Sequence, residues 1–239
     1  INIAKERHTV SEQSKTKYDT LKQPAQSKQM LAYQQIKEDI LNNTFPEGTV
    51  MVERKLCDIY QVSRSPIRNA LQQLTHEGLL SFVPGKGVVV SSFSTEDILE
   101  VYDLIELLQL YAVSACIAKG SPTAVEALSL TLSNMEKTIS GGELFQCTRW
   151  DQKFHELLIE YAGNSRLKNM YEQLACQQTR FMTTILNDTT LADRSLAEHR
   201  EIVNAIADQN VSAAEECIRT HYRNIKQYYI NKLLARLQI

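Results

Sequence analysis

Two groups of side chains in this 239-residue chain have types and spacing suited to chemistry. In "VSRSPIRNAL", residues 62–71, Arg64 and Arg68 stand four apart, one turn along any helix that starts there. A guanidinium is a planar fork of donors that matches paired acceptors on a guanine edge or a phosphate. The second group is imidazole and carboxylate. "RWDQKFHELL" places Asp151 and His155 four apart, beside Phe154, Leu158 and Ala162 on one helical side. His199 falls between Leu196 and Val203/Ile206, and His221 between Ile218 and Ile225. Such donors suit Zn, Ni, Fe or Mn. Four of them complete a tetrahedron or leave positions open in a six-coordinate site.

Each group needs elements to hold it. Tyr33, Ile36, Ile40 and Leu41 recur at helical spacing, and "NNTFPEGT" supplies a stop and a turn. A short helix begins near Glu53 and carries Leu56 and Ile59; "QVS" turns the chain into a third helix. There Ser63 is expected to cap the free amides, and Pro66 is tolerated in the first turn. Ile67, Ala70, Leu71 and Leu74 form the inner face, and Gly78 suits a left-handed cap. "LLSFVPGKGVVVSSF" reads as two short strands around a Pro-Gly-Lys-Gly turn. Three helices and a hairpin describe a winged helix-turn-helix. In it Arg64 and Arg68 flank the buried stripe and reach a major groove, and Gly85-Lys86-Gly87 approaches the backbone or minor groove.

From Ser94 onward the pattern is helical only, near 95–119, 121–139, 143–162, 165–187, 191–208 and 210–236. The breaks, "GSP", "SGG", "GN", "NDTT" and "DQN", are short, which favours antiparallel neighbours and a bundle. His199 precedes the turn near Gln209 by 10 residues and His221 follows it by 12, so antiparallel packing brings them level. A lone inward His is ordinarily a satisfied core residue. Three with a carboxylate on adjacent helices would be costly if unpaired.

The predicted fold is therefore mostly α: a flexible polar tail over 1–30, a winged helix-turn-helix over 31–92, and an all-α antiparallel bundle over 93–239. No apolar run approaches the roughly 18 residues that span a bilayer, and the opening INIAKERHTVSEQ lacks the core of a secretory signal. Five scattered cysteines with no CxxC pair fit a reducing compartment, so a cytoplasmic location and no membrane partner are expected. Residues 1–91 hold 12 Lys/Arg against 9 Asp/Glu, and residues 92–239 hold 14 against 19. A polyanion would meet the front half.

The run Tyr33-x2-Ile36-x3-Ile40, then "FPEG", "VERKLCDIYQVSRSPIRNALQQLTHEGLL" and "GKGVVV", resembles the DNA-binding domain of GntR-type transcriptional regulators over about residues 31–91. The resemblance implies Arg54, Arg64 and Arg68 as the main DNA-contacting side chains, assisted by Ser65 and Gly87, with Lys86 on the wing. Asn69 stands where the family commonly has Glu. Residues 94–230 are similar to the helical effector-binding domain of the FadR branch, the FCD domain, in its six-helix VanR-like form. "D-x3-H", "GN", "EHREIVNAI" and the final His carry that likeness. It implies Asp151, His155, His199 and His221 as ligands of a divalent ion, Zn first among Zn, Ni, Fe and Mn. It also implies a small organic acid as effector. The family usually shows Arg and, four residues later, Glu in the first bundle helix; here the register gives Ile105 and Gln109. Tyr102, Gln109 and Arg180 are pocket candidates.

The expected function is a DNA-binding transcriptional regulator, a repressor, that reads a near-palindromic operator as a homodimer. Two alternatives stand beside it. One is a structural metal with no effector. The other is a metallohydrolase, for which "HELLI" is a poor motif because Ile159 occupies the place of the second His of HExxH.

Overall fold

A computed structural model describes residues 28–183 and 189–237. The elements run α1 (Lys28–Leu41), α2 (Glu53–Tyr60), α3 (Arg64–His76), β1 (Leu80–Val83) and β2 (Gly87–Val90). Then come α4 (Thr95–Lys119), α5 (Pro122–Ser140), α6 (Leu144–Ala162), α7 (Ser165–Thr183), α8 (Thr189–Ala207) and α9 (Val211–Leu237). A winged helix-turn-helix is followed by an all-helical bundle. α1 starts three residues before the expected Leu31; the remainder of the expected tail, 1–27, lies outside the described residues, as does 184–187 of the fourth bundle helix.

The head has its own core. Ile36 and Ile40 of α1, Leu56 of α2, Ile67, Leu71 and Leu74 of α3, and Leu80 and Val90 of the wing are buried together. The hairpin is antiparallel, with Leu80 opposite Val90 and Val83 opposite Gly87. Gln61 adopts a left-handed conformation (φ 54°) that ends α2 and swings the chain into α3.

The bundle is set by its caps. Ser94 and Asp97 form a reciprocal capping box at the start of α4. Gly120 and Gly163 end α4 and α6 with φ of 60° and 64°. Asn164 accepts from the Arg166 and Leu167 amides to start α7, and Asn210 accepts from Ala213 to start α9. α4 runs through the middle against α6, α7 and α9, while α5 packs on α6 and α8.

α4 departs from the sequence expectation. Its apolar side chains lie on both sides, and a stretch of 18 residues reaches a mean hydropathy of 1.5, long and apolar enough to cross a membrane by composition alone. Val101, Tyr102, Ile105, Ala112, Val113, Cys116 and Ile117 are spent on the core. Leu104, Leu107 and Tyr111 face outward, 50–63% exposed.

Candidate metal centre and DNA-binding head

α3 is held by its buried side, which leaves Arg64, Ser65 and Arg68 exposed, together with Arg54 on α2 and Lys86 at the wing tip. Gly87 holds φ +89° with open space where a Cβ would stand, so the turn itself requires glycine there. Ser63 occupies the N-cap position, yet its side chain accepts no amide, contrary to expectation. The reason is local. An N-cap oxygen bonds the N2 or N3 amide, and Pro66 at N3 removes one of those two donors, leaving the Ser65 amide alone. Arg68 has a partner that sequence reading missed. Its Nε and Nη2 donate to Oε1 and Oε2 of Glu53 at 2.9 and 3.1 Å. These bonds hold the Glu53 carboxyl below its usual range. An exposed pair of this kind adds little stability, but it keeps the guanidinium extended from the helix.

In the bundle, His155 on α6, His199 on α8 and His221 on α9 are each at most 1% exposed, and their ligating atoms lie within 4.8 Å of one another. Nε2 of His199 and Nε2 of His221 are 3.3 Å apart. Phe154 stacks flat on His199 at a centroid distance of 4.2 Å, which fixes that ring. Burial, and then the neighbouring imidazoles, drive His155 and His199 well below the ordinary imidazole range. Both therefore favour the neutral form, which carries a lone pair on one ring nitrogen.

Asp151 is buried beside them but is not within the same mutual reach. Its Oδ1 accepts from Ser195 Oγ at 2.8 Å and stands 3.8 Å from His199 Nδ1. Burial raises its carboxyl above the usual range. Four buried polar atoms among the described residues lack a hydrogen-bond partner: Gln109 Oε1, His155 Nε2, the Tyr171 hydroxyl and His199 Nδ1. Each such group costs about 1–3 kcal/mol. Two of the four belong to the triad. Neutral imidazoles with an unused nitrogen, next to a carboxylate, fit a divalent ion.

Of the pocket candidates, Gln109 meets the triad, donating Nε2 to the His155 carbonyl at 3.3 Å. Ile105 is fully buried. Tyr102 lies in the core with its hydroxyl on that of Tyr229 at 3.2 Å. Arg180 also reaches the head: its Nη1 donates to the Ile40 carbonyl at 2.6 Å and to Asn43 Oδ1 at 3.2 Å. Gln177 also reaches across, donating to the Glu77 carbonyl at 3.4 Å, and Cys176 packs on the head's core. A Cβ at Gly78 would stand 2.8 Å from Gln177 Nε2, so the head and α7 are in close contact there.

Comparison with known families and structures gives this arrangement its place. Residues 29–90 match the family model of the bacterial regulatory proteins of the gntR family. Residues 100–224 match the FCD domain. The chain belongs to the GntR family. Among its relatives is the HTH-type transcriptional regulator YdhC of Bacillus subtilis, 33% identical over 80% of this chain and 86% of that protein. The HTH-type transcriptional repressor GlaR of Escherichia coli is 27% identical over 79% and 90%. The fold is shared with a putative GntR regulator from Rhodococcus, at 20% identity and a TM-score of 0.74, covering 86% of this chain and 98% of that one. It is shared too with Escherichia coli McbR/YncC, at 15% identity and 0.75, covering 87% and 99%.

This GntR-family member is thus a DNA-binding transcriptional regulator and not an enzyme, so the metallohydrolase alternative falls. Around its triad, Ser195, Glu198 and Tyr222 escaped sequence reading. Glu198 immediately precedes His199 and Tyr222 immediately follows His221, so adjacency to an inward His was the available signal.

Proposed function

We propose that the regulator is a repressor that binds a near-palindromic operator as a homodimer in the cytoplasm. A divalent ion, Zn first, is held by His155, His199 and His221, with Asp151 beside them as the carboxylate ligand. A small organic acid approaching that ion is the effector. The buried triad with its unused nitrogens carries this reading. A bound ion supplies a Lewis-acidic position for a carboxylate or hydroxyl oxygen. Gln109 offers an unpartnered amide oxygen nearby, and Ile105 and Gln109 add no cation, so the charge of the acid falls on the ion alone.

Arg64 and Arg68 read base edges, Ser65 and Arg54 assist, and Lys86 and Gly87 follow the backbone. One recognition helix spans few base pairs, and symmetric half-sites call for two heads. The outward stripe Leu104, Leu107 and Tyr111 of α4, spaced at three and four, suits a second copy of the chain. The repressor sign rests on GlaR, whose description is that of a repressor. α7 offers the path between sites: Tyr171 lies in the bundle core, and Gln177 and Arg180 touch the head.

The test starts with selecting the operator from a random duplex pool. Its affinity for the zinc-loaded dimer is then measured with and without small hydroxy- and keto-acids. A hit should change affinity by about 5–150-fold. If no acid does so while zinc stays bound, the ion is a structural staple and the effector reading is wrong.

A further inference from the structure

We infer that Glu198 is the positioning residue of the triad: it holds His221 in the tautomer that leaves Nε2 free for a cation. This rests on the metal reading above and concerns a side chain that is itself no ligand there. Glu198 and His199 are neighbours on α8, so they project in directions about 100° apart. His199 turns inward onto Phe154, and Glu198 reaches along α9 instead. Its Oε2 lies 2.7 Å from His221 Nδ1, and its Oε1 accepts from Asn224 Nδ2 at 2.7 Å.

The hydrogen-bond roles follow from valence. A carboxylate only accepts, so His221 Nδ1 carries the proton and donates it. The ring must be neutral to hold a cation, and a neutral imidazole whose single N–H sits on Nδ1 has its lone pair on Nε2. That Nε2 is the atom facing His199 Nε2 at 3.3 Å. Asn224, one turn beyond His221 on α9, holds the other oxygen and stops the carboxylate from rotating away. His221 is fully buried.

The other two imidazoles lack such a partner. His155 Nδ1 meets only the Tyr222 hydroxyl at 3.4 Å, and His199 Nδ1 stands 3.8 Å from Asp151 Oδ1 without a hydrogen bond. Among the described residues, His221 is the member of the triad whose tautomer is set by a carboxylate acceptor before an ion arrives, so it is the arm on which the site is built. An acceptor behind a metal-bound imidazole also raises its basicity, and removing one typically costs 10–100-fold in affinity.

The experiment compares full-length wild type, Glu198→Leu and Glu198→Gln. Zinc affinity is read by competition with a chromophoric chelator, and the His221 tautomer of the metal-free protein by long-range 1H–15N NMR. Glu198→Leu keeps bulk but removes the acceptor; affinity should fall about 10–100-fold and the fixed Nδ1–H tautomer should be lost. Glu198→Gln still offers an amide oxygen, and should keep the tautomer and recover most of the affinity. Wild-type zinc binding that is unchanged in Glu198→Leu overturns the role of Glu198 and leaves the metal site standing. A wild type that binds no zinc overturns both. Should Glu198→Leu fail to fold, the wild-type spectrum decides: His221 found protonated on Nε2 overturns the assignment.

Discussion

The head and the bundle solve opposite problems with charged and polar side chains. On α3 the arginines stand in water, their positions set by the buried stripe Ile67, Ala70, Leu71 and Leu74 beneath them. Among the described residues, Glu53 is the partner that meets Arg68. In the bundle the imidazoles have left water entirely, and each depends on what lies behind it: Glu198 for His221, Phe154 for His199, Tyr222 for His155. An exposed recognition group needs only a rigid base. A buried one needs partners of its own.

This contrast predicts that the two halves fail separately. The largest effect is expected from His199→Ala/His221→Ala, which should lose all bound zinc by elemental analysis yet keep operator discrimination within a few-fold of wild type. Loss of discrimination in that variant would mean the head depends on the metal for its own fold.

Arg68→Ala comes next. Its bidentate fork should account for about ten- to hundred-fold preference for operator over scrambled duplex, with zinc content unchanged. Equal discrimination by gel shift would remove Arg68 from the base-reading set and shift that role to Arg64 or Arg54.

Arg180→Ala addresses the join. Operator affinity and zinc content should each stay near wild type, while the change in operator affinity on adding an effector acid shrinks about five-fold or more. A full response in this variant would move the coupling path away from α7. The smallest effect belongs to Lys86→Ala, which should weaken binding equally to all duplexes and lower the salt slope by about one. A sequence-dependent loss would instead give the wing a reading role.

The same contrast explains what was legible beforehand. The head's signals are local: Tyr33-x2-Ile36-x3-Ile40, the Pro66 start of α3 and the Pro-Gly-Lys-Gly turn each sit within a few residues of what they determine. The triad was legible because His199 and His221 flank one tight turn at similar distances and each sits on an apolar stripe. Asp151 shows where that logic ends, since spacing puts it on the right face but not the side-chain rotation that gives its oxygen to Ser195. Glu198, a charge next to an inward His, reads as solvent-facing unless the partner on α9 is known. The contact of Arg180 with the head is invisible in the sequence because helix register describes one domain only, and its acceptor lies 140 residues away in another. The outer stripe of α4 has helical spacing of its own, but the inner stripe fills the positions between and hides it in the sequence.

Arg180 has a consequence for folding as well. The last carbonyls of a helix have no amide of their own helix to accept from. At the end of α1 the Ile40 carbonyl takes the Asn43 amide at 3.1 Å and the Arg180 guanidinium from α7, a cation at the negative end of the helix dipole. A head of about 60 residues buries too little surface to be robust alone, and here part of its first helix is finished by another domain. Heated in a calorimeter, the intact chain should therefore unfold the head together with α7, and a head cut free at Ser91 should melt well below the temperature at which it is lost from the whole protein.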